Sequence, residues 1–285
     1  MDRPESPRQT LRRFGMRPQK GLGQHFLIDQ GAAEQIVNAA LQVQPDGVIE
    51  IGPGLGTLTR LLVASGLPVV AIEKDEAMRR PLSELVERYP NLEVRYEDVL
   101  RADLSELTRR GRWAAIGNLP YQITSPLLEK LFTTDPPPAA IVITVQKEVG
   151  ERLAADPGTK QYGALTLLAR LHADRPEVVR ELAPGAFEPA PKVRSLAIRF
   201  IPRPDPLGSE ERRRLFFRTV RAAFRQRRKQ LRNALIMAPE LGLDAGQATS
   251  VLMAANIEPR RRGETLSVDE FITLADTIAQ VRAGG

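Results

Sequence analysis

The chain is predicted to fold as an α/β domain on a seven-stranded, mostly parallel, doubly wound sheet, followed by a small all-helical domain. Three observations carry this reading. Between Asp46 and Ile201 short apolar runs alternate with helix-period patterns, as in successive βαβ units. The stretch VIEIGPGLGTLTRLL reads as a strand, a glycine-rich turn and the start of a helix. After Ile201 the stretch PRPDPLG breaks the pattern, and beyond it only helical periodicity returns. With 285 residues, 42% of them hydrophobic, the chain has material for one large core and one smaller one.

Taken in order, residues 1–20 hold a basic arm, Arg3 to Lys20, expected to be mobile until it meets a partner. Residues 21–202 form the predicted α/β domain and 203–285 the helical one. Asp29 is placed to cap a helix carrying Ile36, Val37, Ala40 and Leu41 on one side. Strands are expected at Gly47-Ile51, Pro68-Glu73, Leu92-Tyr96, Trp113-Gly117, Ala140-Val145, Val178-Leu182 and Arg194-Ile201. Helices are expected at Leu58-Ala64, Ala77-Arg88, Pro126-Phe132, Lys147-Ala154 and Ala164-Leu171. In the tail, Ser267 and Glu270 fit a capping box opening a helix with Phe271, Leu274 and Ile278 inward.

Composition narrows the chemistry. Cysteine is absent, which excludes disulfides, thiolate metal sites and cysteine nucleophiles. His25 and His172 are the only imidazoles, too few for a histidine-built metal site, so no metal is expected. The longest apolar run, Ala139 to Val145, is too short to span a bilayer, and Met1 to Gln19 lacks a signal-type apolar core, so a cytoplasmic protein with no membrane partner is expected. A net charge of +6 and a pI near 9.9 make a polyanion the natural partner.

The glycine loop and two acids suggest an adenosine-like ligand. Gly52, Gly54 and Gly56 alternate, but Thr57 holds the place where the dinucleotide fingerprint requires glycine, which weakens NAD or FAD. No Gly-Lys-Ser/Thr follows, so a triphosphate is not supported. Glu73 ends the second strand, where a carboxylate accepts from ribose hydroxyls. Asp98 follows the third and is placed to accept from an adenine amine.

Asn118 ends the fourth strand on the same rim, within GNLPYQITSPLL. Pro120 has no N–H and pushes Leu119 towards extended geometry, turning the Leu119 carbonyl outward. That carbonyl and the Asn118 side-chain oxygen are two neutral acceptors, suited to an aromatic amine with two N–H donors. Tyr121 offers a flat face for the ring that bears it. A proline turn with a core tyrosine is the alternative. Ten Arg or Lys residues and no acid lie between Arg212 and Arg232, including Arg221, Arg225, Arg227, Arg228 and Lys229, and read as a phosphate-tracking surface.

These residues resemble those of the ribosomal RNA adenine dimethyltransferases, most closely the type that modifies small-subunit RNA. The resemblance runs from about Lys20 to the C-terminus through KGLGQHFLID, EIGPGLGTLT, IEKD, YEDVL, GNLPYQITSPLL, VQKEVGERL, AFEPAPKV, RQRRKQLRNAL and RRRGETLSVDEF. It implies a Rossmann-like class I methyltransferase sheet whose last strand is antiparallel, with S-adenosylmethionine as cofactor. It implies cofactor contacts from His25, Leu27, Gly52, Gly54, Glu73, Lys74, Asp98, Val99 and Asn118, although many relatives have asparagine where His25 stands. Asn118 and Leu119 would hold the target amine, Pro120 would fix that geometry, Tyr121 would stack on the base and Phe187 would cover its other face. Lys192 would meet phosphate.

The implied reaction is dimethylation of two adjacent adenines near the 3′ end of 16S rRNA, in a pre-30S particle, by a monomer. Three other readings stand beside it. One is a 23S rRNA methyltransferase of the macrolide-resistance type, and another a non-catalytic RNA-binding assembly or transcription factor on the same fold. An NAD-dependent oxidoreductase is disfavoured by Thr57 and by the absence of a residue suited to hydride handling.

Overall fold

The computed structural model describes residues 7–19, 23–119 and 123–283. Its contacts divide the chain into two units, Met1–Gly150 with Ala173–Arg203 and Glu151–His172 with Pro204–Gly285.

Among the described residues the first unit contains nine strands: β1 (Phe26–Leu27), β2 (Gly47–Ile51), β3 (Val69–Glu73), β4 (Leu92–Tyr96), β5 (Trp113–Asn118), β6 (Ala140–Gln146), β7 (Glu177–Leu182), β8 (Phe187–Glu188) and β9 (Ser195–Phe200). Seven form one sheet in the order β4-β3-β2-β5-β6-β9-β7, and β1 pairs with β8 separately. β9 runs antiparallel to both its neighbours, while the remaining pairings are parallel. The expected seven-strand, mostly parallel sheet with an antiparallel last strand is therefore found.

Its central strands β2 and β3 are buried at every position, which is why they read as continuous apolar runs. The edge strands β4 and β7 are partly exposed. Strand order reverses between β2 and β5, so a crevice opens at the carboxyl ends of β2, β3, β4 and β5.

Helices α1 (Pro7–Arg13), α2 (Gln30–Leu41), α3 (Thr57–Ala64), α4 (Arg79–Arg88), α5 (Ser105–Thr108) and α6 (Thr124–Thr133) belong to this unit. The Asp29 carboxylate accepts the Ala32 N–H at 2.9 Å and starts α2, burying Ile36, Val37 and Ala40. α4 begins two residues later than predicted because Asp75 first caps a 3₁₀ turn, Glu76–Met78. The four-residue α5 is too short to show periodicity and was not predicted.

Part of the basic arm expected over residues 1–20 lies within the described residues. Residues 7–13 are helical, with Thr10 and Leu11 buried. Arg13 makes a two-bond pair with Glu84 at 2.8 and 2.7 Å, and Arg8 lies 3.6 Å from Glu188.

Helix α7 (Lys147–Leu153) precedes α8 (Ala164–His172), and the second unit continues with α9 (Glu210–Arg225), α10 (Leu231–Ile236), α11 (Ala245–Ala254) and α12 (Val268–Ala283). Its core joins Tyr162, Leu167 and Leu171 to Phe216, Val220, Phe271, Leu274 and Ile278. Tyr162 donates its hydroxyl to the Leu266 carbonyl at 2.7 Å. Residues 151–172 thus belong with the helices, not with the sheet as the 21–202 span supposes; a helix's apolar stripe does not say which core it faces. The Ser267–Glu270 capping box is present, at 2.8 and 3.2 Å. No helix among the described residues is long and apolar enough to cross a membrane.

Parallel register places Gly117 opposite Ile51. A Cβ at Gly117 would lie 2.6 Å from the Ile51 carbonyl oxygen and 3.0 Å from Leu119 Cδ2. The obstructing oxygen belongs to the backbone of a central strand, so it has little room to retreat. Gly117→Ala is expected to lower unfolding free energy by about 1–3 kcal/mol, read from urea denaturation. A variant as stable as the parent would refute this account of the glycine.

Candidate active site

A cavity of about 260 Å³ lies at the carboxyl ends of β2, β3, β4 and β5. Its walls include His25, Leu27, Gly52, Gly54, Glu73, Lys74, Asp98, Val99, Asn118 and Leu119. Four strand ends separated in sequence thereby converge on one volume, as expected for open α/β sheets.

The glycine loop turns with φ of 67° at Gly52, 54° at Gly54 and 80° at Gly56, a region that side-chain-bearing residues disfavour. This turns the Gly54 N–H onto Glu73 Oε2 at 3.1 Å, while the Asp75 N–H meets Oε1 at 2.8 Å. Each oxygen of a carboxylate accepts more than one bond, so Glu73 keeps capacity for ligand hydroxyls. Glu73 is 7% exposed, and burial raises its pKa against the opposing pull of these backbone donors.

Asp98 is arranged differently. Lys74 Nζ lies 2.9 Å from its Oδ2, and the Leu100 N–H donates to Oδ1 at 3.0 Å. Lys74 above all holds this carboxyl below the usual carboxylate range. The acid expected to await an adenine amine already has a partner on each oxygen, and the lysine spans from the end of β3 to the end of β4.

Residues 23–27 form a strap along the cavity. Gln24 Nε2 donates to Asp75 Oδ2 at 2.6 Å, and Asp75 also receives Gln19 Nε2 at 3.3 Å. The His25 ring nitrogen Nδ1 lies 2.7 Å from the Pro189 carbonyl, which accepts only, so Nδ1 carries the proton. The His25 carbonyl receives Asn118 Nδ2 at 2.7 Å, and the Leu27 carbonyl receives the Thr57 hydroxyl at 2.9 Å. The contact expected of His25 with a ligand is thus joined by two structural ones. Because a carbonyl cannot donate, the amide nitrogen of Asn118 is assigned to the strap, and Oδ1 remains as its acceptor.

The other predicted residues separate into groups. Leu119 is buried and lines the cavity, whereas Pro120 and Tyr121 lie outside the described residues. Phe187 sits opposite Leu27 in the β1–β8 pair and is 2% exposed within the core. It is not among the residues that line the cavity. Lys192 is exposed on the loop that follows.

Sequence reasoning passed over Gln24, Thr57, Asp75 and Glu50. The first three act through bonds spanning 30 to 56 residues, which leave no local pattern. Glu50, in the middle of an apolar strand, was the visible signal. It is 1% exposed, with Oε2 lacking a hydrogen-bond partner among the described residues. Burial pushes its carboxyl up to about 8, with Thr59 pulling the other way and Glu73 adding to the rise. Among the described residues no cluster of three or more His, Cys, Asp or Glu is suited to hold a metal.

In the second unit the acid-free run around α9 is partly compensated from elsewhere. Arg212 pairs with Asp276 at 2.8 Å, Arg213 with Asp205 at 2.6 Å, Arg225 with Glu240 at 2.7 Å and Arg227 with Glu264 at 3.1 Å. The expectation of a run without compensating acid is corrected accordingly. Arg221 acts electrostatically on Glu240. Arg218, Arg228 and Lys229 are exposed and carry no ion pair among the described residues.

A buried acceptor for paired hydroxyls, a glycine loop with close backbone approach and an amide acceptor on the same rim fit a nucleoside-bearing cofactor and an amine acceptor. With the antiparallel last strand, they define a Rossmann-like methyltransferase. A sequence model described as "Ribosomal RNA adenine dimethylase" matches residues 15–274, and the chain belongs to that family. It is 40% identical to "Ribosomal RNA small subunit methyltransferase A" of Alkaliphilus oremlandii, over 98% of this chain and 99% of that protein. The protein of the same name from Geobacillus kaustophilus is also 40% identical, over 97% and 96%. A crystal structure of a dimethyladenosine transferase from Plasmodium falciparum superposes with a TM-score of 0.74 at 26% identity, over 88% of this chain and 96% of that one. That of the 23S rRNA methyltransferase ErmE gives 0.65 at 24%, over 90% and 100%, and shares the fold.

Glu50 has a consequence for stability. The native carboxyl keeps its proton up to about 8, while an unfolded glutamate releases it near 4.5. Between those values the native state binds more protons, so this group's contribution is full below 4.5 and is lost as pH rises towards 8. Glu50→Gln is expected to match the parent near pH 4.5 and to exceed it by roughly 2–4 kcal/mol at pH 8, measured by denaturant unfolding across pH. A difference that does not grow with pH would refute it.

Proposed function

We propose that the chain is an S-adenosylmethionine-dependent dimethyltransferase that modifies the exocyclic amines of two adjacent adenines near the 3′ end of 16S rRNA. It acts as a cytoplasmic monomer on a pre-30S particle. The observation that carries this reading is the orientation of Asn118, whose nitrogen is taken by the His25 carbonyl so that Oδ1 serves as acceptor on the rim of the nucleoside-type cavity. The relatives named as small-subunit methyltransferases, at about 40% identity over nearly the whole chain, favour 16S over 23S RNA.

S-adenosylmethionine, when bound, supplies a methyl group already activated by its sulfonium. Glu73 accepts the ribose hydroxyls, the backbone at Gly52 and Gly54 permits close approach, and Leu27 and Val99 give apolar walls. Asn118 Oδ1 and the Leu119 carbonyl accept the two N–H groups of the adenine amine. Holding both hydrogens favours the pyramidal nitrogen needed for attack, so alignment rather than a strong base carries the step. The amine proton passes to water after transfer. Tyr121 supplies a stacking face for the base. Lys192, Arg221, Arg225, Arg227, Arg228 and Lys229 meet the RNA backbone.

Supplying labelled S-adenosylmethionine with undermethylated 30S particles or 23S rRNA tests the reaction. Label is expected in 16S rRNA as dimethyladenine; label in 23S rRNA alone would select the other substrate, and none in either would reject the enzyme. Asn118→Ala is expected to lower turnover by about 10²–10³-fold with RNA affinity within about twofold, because it removes alignment and not anchoring. Retained turnover would contradict the assignment. Neutralising Arg228 and Lys229 together is expected to reduce the slope of log affinity against log salt by about 2, close to 0.9 per phosphate contact. An unchanged slope would remove this surface from the RNA path.

A further inference from the structure

Helix α6 begins just past the segment that carries Asn118 and Leu119. Leu127, Leu128 and Leu131 are fully buried and fix its apolar face. Lys130 stands at the border of that face, half-buried, and reaches across to the loop after β4. Its Nζ donates to the Leu100 carbonyl at 3.1 Å and to the Ala102 carbonyl.

That loop is a tight turn closed on Asp98. The Asp98 carbonyl accepts the N–H groups of Arg101 at 2.8 Å and Ala102 at 3.0 Å, and Asp98 Oδ1 accepts that of Leu100 at 3.0 Å. Its donors thus point inward to Asp98, and the carbonyls of Leu100 and Ala102 are taken by the ammonium. Val99 and Leu100, between these anchor points, line the cavity together with Leu119 and Ile123.

Withdrawing an ammonium from water is costly unless its donors are satisfied, and Lys130 lacks a direct carboxylate bond among the described residues. Burial lowers its pKa, while Asp103, Glu97 and Asp98 act against that fall from a distance. Two charge-assisted bonds to carbonyls compensate, and each is stronger than a bond between neutral groups. An unbranched apolar side chain would fill the same border position without the desolvation cost. A lysine here therefore holds the loop rather than merely occupying the helix.

We propose that Lys130 is a positioning residue for the cofactor. By bracing the turn Asp98–Ala102 against α6, it sets the wall formed by Val99 and Leu100, so that its loss weakens cofactor binding while leaving the chemical step nearly unchanged. The chemical step is spared because Asn118 is oriented separately, through His25. This rests on reading the cavity as the S-adenosylmethionine site.

Titration calorimetry with the full chain tests it, using S-adenosylmethionine and 5′-methylthioadenosine, which lacks the amino-acid end. Lys130→Met is expected to weaken both ligands by about tenfold and to raise KM for S-adenosylmethionine equally, with kcat within about twofold. Lys130→Arg, which can still donate to both carbonyls, is expected to bind within about threefold of the parent. Near-UV circular dichroism checks the fold; if Lys130→Met fails it, Lys130→Leu, which likewise cannot donate, replaces it with the same expectations. Unchanged affinity, an equal loss in the Met and Arg variants, or a kcat that falls with affinity would overturn the proposal. If the parent itself bound neither ligand, the reading of the cavity would fall first, and this inference with it.

Discussion

The hydrogen bond from Asn118 to the His25 carbonyl is the constraint on which the geometry of the site depends. An asparagine amide presents an acceptor at one corner and a donor at the other, and a half-turn exchanges them. The His25 carbonyl removes that freedom because it only accepts. A single such bond contributes about 0.5–1.5 kcal/mol, too little to hold a mobile strap and an amide together. The strap is therefore tied independently, by Gln24 to Asp75, by the His25 ring to Pro189, by Leu27 to Thr57 and by the β1–β8 pair. Each tie comes from a different element, so the acceptor direction of Asn118 is a property of the assembled sheet edge and not of its own turn.

The same edge concentrates carboxyl groups in a way that opposes stability. Glu50 and Glu73 sit on adjacent parallel strands, both buried, and each is shifted upward chiefly by loss of water. Their routes of relief differ. Glu73 accepts two backbone N–H groups in the turns that follow β2 and β3, which favours its charged form. Glu50 has one oxygen without a hydrogen-bond partner among the described residues and retains its proton near neutrality. Proximity of two carboxylates in a dry setting disfavours double ionisation, so the neutral state of Glu50 helps Glu73 to stay an acceptor.

Much of the sheet was legible because its strands are buried on both sides and bounded by glycine, proline or charged residues. All seven strand predictions lie within one residue of the observed ends, the widest difference being Arg194–Ile201, which is longer than β9 by one residue at each end. Residues at strand ends were legible for a related reason, since Gly52, Glu73, Asp98 and Asn118 each terminate a readable run. What escaped was decided by long-range contact. Leu11 finds a core that no local pattern announces, and α8 joins the helical unit although it lies between strands. Polar ties such as Gln24–Asp75 involve residue types that are ordinary on a surface, so only their meeting in space gives them meaning.

The basic run around α9 shows how far a charge count along the chain can mislead. Read along the chain, the segment lacks acids; in the folded unit, Asp205, Glu240, Glu264 and Asp276 approach it from other elements. These pairs are mostly exposed on at least one side, and exposed pairs contribute about 0–1 kcal/mol because water and salt compete for both partners. They suffice to offset self-repulsion along α9 when no other anion is present. They do not suffice to hold the arginines against a phosphate chain, whose charge density is repeated at every nucleotide and whose binding releases counterions. Arg225 and Arg227 are held only by such exposed pairs, whereas Arg228 and Lys229 have no ion pair among the described residues. The affinity of such a surface is governed by the difference between partners gained and partners released, not by the number of cations in the run.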